Sequence, residues 1–461
     1  MFPKTRILVL LATLVLFAIL VPSMTSAQFS PFHLGDTEPD GGRDALGARP
    51  AVVYNPVDRE YLVAWAGDGT PGQVAPGGGV YVRRVDARSG QPVDGGHQRV
   101  GSLAVLEGAA RLGTRIDAVY NPRAHEYLLV WSGRKGGGAG PILAQRLDAR
   151  SGRKLTEQPV EISGGGFGTG PSVAYNQRLG EYLVAWSGRI DGETEIVVRF
   201  LEGANAAPLG SYPTRISNMG AGGETYAWDP DVAYSPNADQ FVVVWWGKAS
   251  TMGTHRVYYQ RLDAAGSEIG PDDQALGEAS AEASFPTVAF NPKIGRSGQY
   301  LVVWQQEEEG SSEIRGLQIA GHGAATSHEP LRISTTRGDH GGASYQPAIA
   351  ARANGTFAVT WSGTDGSDTS GKLETFATQV SSMGVPIERR RIGRLADEAY
   401  PAVGGLSPSV APGPCNRLLA VWWTAAGSEG VGGGPQGLFG RQIPAYALRD
   451  GIAPHSLQAS R

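Results

Sequence analysis

Runs of consecutive apolar residues, each closed by a tryptophan, recur along this chain at a spacing of about 60 residues. They stand at 61–65 (YLVAW), 127–131 (YLLVW), 182–186 (YLVAW), 241–245 (FVVVW), 300–304 (YLVVW), 357–361 (FAVTW) and 418–422 (LLAVW). Successive tryptophans are 66, 55, 59, 59, 57 and 61 residues apart. A run of small and β-branched residues precedes each copy: 50–54 (PAVVY), 116–120 (IDAVY), 171–175 (PSVAY), 230–234 (PDVAY), 286–290 (PTVAF), 347–351 (PAIAA) and 401–405 (PAVGG). A third strand-like run follows each tryptophan, at 80–86, 142–148, 196–201, 257–263, 314–319, 376–380 and 438–443. A weaker fourth closes most copies, as at 160–163, 215–217 and 331–334.

Four short strands joined by turns make one antiparallel sheet per repeat, since no helical crossover is available to make it parallel. The second strand is apolar at nearly every position, so both of its faces must be buried. Stacking sheet on sheet around an axis achieves that, and the alanine- and glycine-rich first strands suit the crowded centre. The pattern therefore predicts an all-β fold, a seven-bladed β-propeller of four-stranded antiparallel blades. The seventh repeat lacks a good fourth strand, whereas residues 32–35 (FHLG) stand where such a strand precedes every later copy. An N-terminal strand is accordingly expected to close the ring in the last blade. On this reading residues 28–461 are a single propeller, with repeats near 48–110, 111–165, 166–225, 226–280, 281–340, 341–396 and 397–445. Residues 30–36 are the closing strand and 446–461 a C-terminal tail. In the sixth copy the first turn shrinks to Asn354-Gly355, the pair suited to a type I′ hairpin.

Composition adds a compartment. Lys4 and Arg6 precede an apolar run over 7–21, then Pro22 and small residues to Ala27, the order of a secretory signal peptide ending at residue 27. The run makes about 22 Å of helix, short of a membrane core. The formal net charge of −4 becomes more negative when Lys4 and Arg6 leave with it. That argues against nucleic acid, which needs a concentrated basic surface. Export is expected, secreted or periplasmic, with no stable membrane insertion after cleavage. The lone Cys415 excludes an internal disulfide and is expected as a partly buried thiol before the last apolar run.

The repeat Y-N-P … E-Y-L-V-x-W … Q-R-L-D-A … G, carried best by Tyr120-Asn121-Pro122, 126–131 and 145–148, resembles one seen in uncharacterised exported bacterial proteins. The resemblance covers nearly all of the chain after the leader and is weakest in the fifth to seventh copies. It implies a propeller and an extracytoplasmic setting, and it brings no catalytic residue. The Gly-His and Trp-Asp marks of WD repeats are missing from the repeat, and no sialidase box or integrin-type calcium loop is seen.

The turns between first and second strands, and those after the third, stay similar from copy to copy and lie on one side of the ring. On the other side are the variable loops 66–79, 132–140, 187–195, 246–255, 305–313, 362–372 and 423–437, with the loops leading into the inner strands. Variable loops on a rigid scaffold are where binding resides. Candidate ligand residues there are Asp191, Glu193 and Glu195, whose alternation aims carboxylates one way, and Tyr226 and Trp228, which suit stacking on a sugar. Glu307, in the densest acidic run, and the pair Asp339-His340 complete the set. No catalytic set, metal set or cofactor emerges, and a structural cation stays open. The expected function is a non-catalytic binding or interaction module presenting its loops to a glycan, an envelope component or a protein partner. The alternatives are a carbohydrate-active enzyme, lyase or hydrolase, with its site at the channel mouth, or a structural subunit of an extracellular assembly.

Overall fold

The computed structural model describes residues 32–35, 49–67, 79–93, 95–102, 115–133, 140–220, 224–308, 310–323, 329–334, 343–364, 373–387, 390–392, 405–424 and 437–444. The segment read as a signal peptide lies outside the described residues, as do Asp339 and His340. Among the described residues the chain is all β, with one short 3-10 turn at Pro414–Asn416 and no helix long and apolar enough to cross a membrane.

Each apolar run forms the second strand of an antiparallel sheet. In the first copy Ala51–Asn55 pairs with Glu60–Gly67, that with Gly79–Asp86, and that with Gln98–Ser102. Five sheets of four strands and one of eight are present among the described residues. The eight-stranded sheet joins two such units through a single parallel bridge, Thr194 to Tyr226. The first strands, Ala51–Asn55, Ile116–Asn121, Gly168–Asn176, Tyr226–Ser235, Glu282–Asn291, Ser344–Ala351 and Gly405–Pro412, all contribute to the wall of one central cavity. The fold is a β-propeller.

The tryptophans hold the sheets to one another. Trp65, Trp131, Trp186, Trp245, Trp304, Trp361 and Trp422 are all fully buried. Trp131 packs with Leu62, Ala64, Val80 and Val82 of the preceding sheet, and Trp245 with Ala174, Leu183 and Ala185 of its own predecessor. Burying about 200 Å² of indole at ~25 cal/mol per Å² contributes at most about 5 kcal/mol. Surface ion pairs contribute ~1 kcal/mol or less. Gly101 stands so close to Trp131 that a Cβ there would lie 2.7 Å from the ring, which explains a glycine in mid-strand.

Four local expectations need correction. The prolines of the inner strands do not begin them: in five copies the residue before the proline is left-handed and the ladder shifts register there. Those residues are Gly170 (φ +60°), Asp229 (+49°), Phe285 (+52°), Gln346 (+48°) and Ser407 (+46°). The proline, having no N–H, sits at a β-bulge where none is needed. The seventh inner strand is Gly405–Pro412, in place of 401–405, with Ser409 opposite Val421. The tetrapeptide at 408–411 repeats the PSVA of 171–174, and a tight turn links it directly to Leu418–Thr424. Cys415 lies in that turn, exposed and left-handed (φ +54°), rather than partly buried. Asn354-Gly355 is not a type I′ turn, because only Gly355 has positive φ (+81°), while Gly355 N–H donates to Arg352 O at 3.1 Å.

The chain ends meet in one sheet: Phe32–Gly35 pairs antiparallel with Gly437–Ile443, Phe32 opposite Gly440 and His33 opposite Phe439. Leu34 is fully buried against Tyr61, Val63 and Trp65 of the first sheet, so this strand touches both ends of the ring. Removal of residues 28–36, or Leu34→Asp, is expected to lower the melting temperature sharply in a thermal scan. Unchanged melting would mean the strand contributes nothing to closure.

Candidate functional site

The inner strands should be apolar, yet two carry aspartates at the position after the bulge or its equivalent, Asp117 and Asp231. Both line the central cavity of about 180 Å³, with Arg49 and Arg115 at the leading ends of their strands. Asp231 Oδ1 takes Arg115 Nη2 at 2.5 Å, and its Oδ2 accepts from Thr287 Oγ1 (2.6 Å) and Val288 N (2.8 Å). Asp117 Oδ2 accepts from Val173 N at 2.9 Å. Arg115 crosses the axis to Pro230 O (2.6 Å), and Arg49 reaches Pro347 O (3.0 Å).

Ser172 ties the two acids together. Its Oγ is 2.8 Å from Asp117 Oδ2 and 2.9 Å from Asp231 Oδ1. A hydroxyl has one proton to donate, so Ser172 divides it between the two carboxyls. Burial pushes Asp117 up, its neighbour Asp231 adding to this against the pull of Arg115. Burial also opposes charge on Asp231, but Arg115, Arg49 and the Thr287 and Val288 donors outweigh it and hold that carboxyl below its ordinary value. Of the two, Asp117 is the one held more toward its protonated form.

Above this floor, on the variable-loop side, lies a second constellation. Tyr226, the first residue of its strand, places its hydroxyl 2.5 Å from His255 Nε2. His255 Nδ1 is 2.7 Å from Glu282 Oε2, which also accepts from the His255 backbone N–H at 3.1 Å. With the imidazole proton on Nδ1 toward the carboxylate, Nε2 is left to accept from the phenol. Burial, then Glu282, pushes the Tyr226 hydroxyl up, so it stays protonated near neutrality. Trp246 packs edge-on against Tyr226 and His255 at ring separations of 6.0 and 5.4 Å, tilts against Phe285 at 6.1 Å, and donates its Nε1–H to Asp229 Oδ2 at 3.0 Å. Asp229 is one of the left-handed residues before proline.

The structure divides the sequence-predicted residues. Tyr226 and Trp228 share one strand and lie 6.5 Å apart, ring to ring. Glu307 is exposed and stands directly opposite Glu282 in the strand pairing, which brings it to the same rim. Asp191, Glu193 and Glu195 do not form a carboxylate set. Asp191 is an exposed left-handed turn residue, and Arg215 holds Glu195 at 2.6 Å and Glu193 at 3.7 Å. Glu195 is buried and further bonded to Ser217 and Met219 N, an ion-paired support for its sheet. Among the described residues no three His, Cys, Asp or Glu side chains converge as metal ligands. Sequence reasoning passed over His255, Glu282, Asp229, Trp246 and the four charges of the floor. The legible signal was an aspartate inside an otherwise small, apolar inner strand, as in PDVAY and IDAVY.

No known family model matches the chain, and no curated protein does. Among solved structures, the polysaccharide lyase Uly1 superimposes with a TM-score of 0.52 at 11% identity, over 91% of this chain and 98% of that one. An α-L-arabinofuranosidase of Fusarium graminearum gives 0.49 at 14% identity, over 77% of this chain and 99% of that one. An α-L-arabinanase of Penicillium chrysogenum gives 0.48 at 11%, over 91% and 99%. The first similarity supports the propeller fold. The expectation of a non-catalytic binding module is corrected: the solved structure whose fold it shares, Uly1, is a polysaccharide lyase, and the variable-loop rim carries a phenol–imidazole–carboxylate chain rather than a bare aromatic platform. The carbohydrate-active alternative is carried forward in its place.

Asp231→Asn is expected to destabilise the fold by about 3–5 kcal/mol at neutral pH, because it leaves Arg115 buried without its partner. Since the folded Asp231 carboxyl lies below its ordinary 3.8, its contribution is complete above that value and is lost as pH falls through the folded one. The stability gap between wild type and variant, measured by denaturant titration, should therefore narrow in acid.

Proposed function

We propose that this chain is an exported carbohydrate-active enzyme, a ring of seven four-stranded blades that cleaves a polysaccharide at the mouth of its axial channel. The observation that carries the reading is the Tyr226–His255–Glu282 chain. Breaking a glycosidic bond requires a proton on the leaving oxygen, and Tyr226, held protonated and aimed from an aromatic rim, is the group to give it. The phenolate that results regains a proton from His255 once Nε2 has taken up the one abstracted from the sugar, the imidazolium formed in between being held by Glu282. Trp228 and Trp246 offer ring faces and edges for a sugar, as carbohydrate sites require. A phenol paired with an imidazole suits elimination: His255 Nε2 removes the proton next to the sugar carboxylate, that electron pair forms the new double bond, and the glycosidic C–O bond breaks as Tyr226 protonates its oxygen. The propeller shared with a polysaccharide lyase supports the scaffold for this reading; the residues at the mouth support the chemistry.

A depolymerisation screen over neutral and acidic plant and algal polysaccharides should show chain shortening by the purified protein. Elimination would also generate an unsaturated, ultraviolet-absorbing end. Tyr226→Phe and His255→Ala are each expected to reduce kcat by roughly 10²–10⁴-fold with the fold intact. Full turnover in Tyr226→Phe would remove the hydroxyl from the mechanism, and silence on every polymer would sink the enzymatic reading.

A further inference from the structure

Arg49 is the arginine of the axial group that makes no direct ion pair among the described residues, although Asp231, Asp117 and Asp229 act on it from farther off. Arg115 has Asp231 at 2.5 Å and the Pro230 carbonyl at 2.6 Å. Arg49 spends Nη2 on the Pro347 carbonyl at 3.0 Å, and no carboxylate among the described residues lies within the 4.0 Å of an ion pair. It stands immediately before Pro50, at the end of the inner strand that opens toward the variable loops, and lines the axial cavity. We propose that Arg49, backed by Arg115, binds an oxyanion at the channel floor, the carboxylate or sulfate of an acidic sugar. The identification of that oxyanion as part of a polymer rests on the reading of the preceding subsection.

Three observations lead there. The first is charge. Asp231 is ion-paired to Arg115, and Asp117 is bonded to Ser172 and to Val173 N, so neither cavity carboxyl makes an ion pair with Arg49. The second is the repulsion felt by Arg49: burial, then Arg115, pulls it down to about 10 against the pull of Asp231, Asp117 and Asp229, a cost that an incoming anion would relieve at Arg49. A guanidinium presents a planar fork of donors that matches a carboxylate or sulfate edge, and most of the Arg49 fork remains uncommitted. The third is size and position. At about 180 Å³ the cavity is smaller than the ~300–1,000 Å³ that takes a drug-sized ligand, so it admits the charged end of one sugar unit rather than a length of chain. The rim links it to the proton-transfer chain: both arginines feel the Asp229 carboxylate, and Asp229 anchors the Trp246 that packs on Tyr226 and His255. A sugar acid seated on Arg49 would have its charge neutralised there, which also makes the proton beside its carboxyl easier to remove.

The test is binding, measured apart from turnover. Thermal shift and calorimetry are run on the full chain with sodium D-glucuronate, sodium sulfate, an oligogalacturonide and neutral arabinotriose, all at constant ionic strength. Wild type should be stabilised by glucuronate and by sulfate, and should bind the oligogalacturonide. Arg49→Gln should lose the anion response and bind the oligogalacturonide at least roughly tenfold more weakly. Arg49→Lys, which keeps the charge and loses the fork, should fall between them and serves if the glutamine variant does not fold. An anion response equal in wild type and both variants, or none in wild type, overturns the site. Stabilisation by sulfate with no tighter binding of the oligogalacturonide overturns the sugar assignment. Anion binding through Arg49 without turnover of any polymer would refute the enzyme while leaving this site standing.

Discussion

The burial of one tryptophan between each sheet and its predecessor is the contact on which the rest of this molecule depends. A second strand apolar on both faces cannot end a structure; it must be covered on each side by another sheet, and the covering sheet has the same need. A ring satisfies that demand without leaving an open face. The indole at the end of each second strand is large enough to set the wedge between neighbours, and Gly101 shows how tightly one of them is received. Stability of this kind needs no disulfide, which fits a chain with a single, exposed cysteine.

A ring built from repeats leaves its axis to whatever the inner strands bring there. Alanine, serine and threonine fill most of that position, so the strands approach closely and a small polar cavity remains. Into it the chain places two arginines and two aspartates from different sheets. Such a group is costly to bury unless each charge is answered, and Asp231, Arg115, Ser172 and Thr287 answer one another almost completely. Burial pushes Asp117 toward its protonated form, and Arg49 keeps most of its fork uncommitted. Those two departures from full pairing set this floor apart from a fully neutralised axial plug.

The mouth above it is set by backbone as much as by side chains. Left-handed residues before proline recur in five inner strands, each at a bulge that turns the preceding loop outward. In the fourth copy this geometry delivers Asp229 to the Trp246 indole and lines up Tyr226 with His255 from the following loop and Glu282 from the next sheet. No short stretch of sequence contains that chain, because its three members come from three separate elements.

The sequence by itself determined the all-β class, the repeat, the buried tryptophans and the side of the ring that varies, since each is a local periodicity repeated often enough to read. It singled out Tyr226, Trp228 and Glu307, which the fold gathers at one rim, but it misassigned Glu195, whose burial against Arg215 depends on a strand twenty residues away. It also misplaced the last inner strand, where two proline-led runs compete and only pairing with Leu418–Thr424 decides between them. The tertiary structure alone decided the chemistry. Arg49 meets Pro347 and Arg115 meets Asp231 only because the ring brings first strands from distant repeats to one axis. A hydrogen bond or a shared proton between such residues has no counterpart in the local pattern of any one repeat.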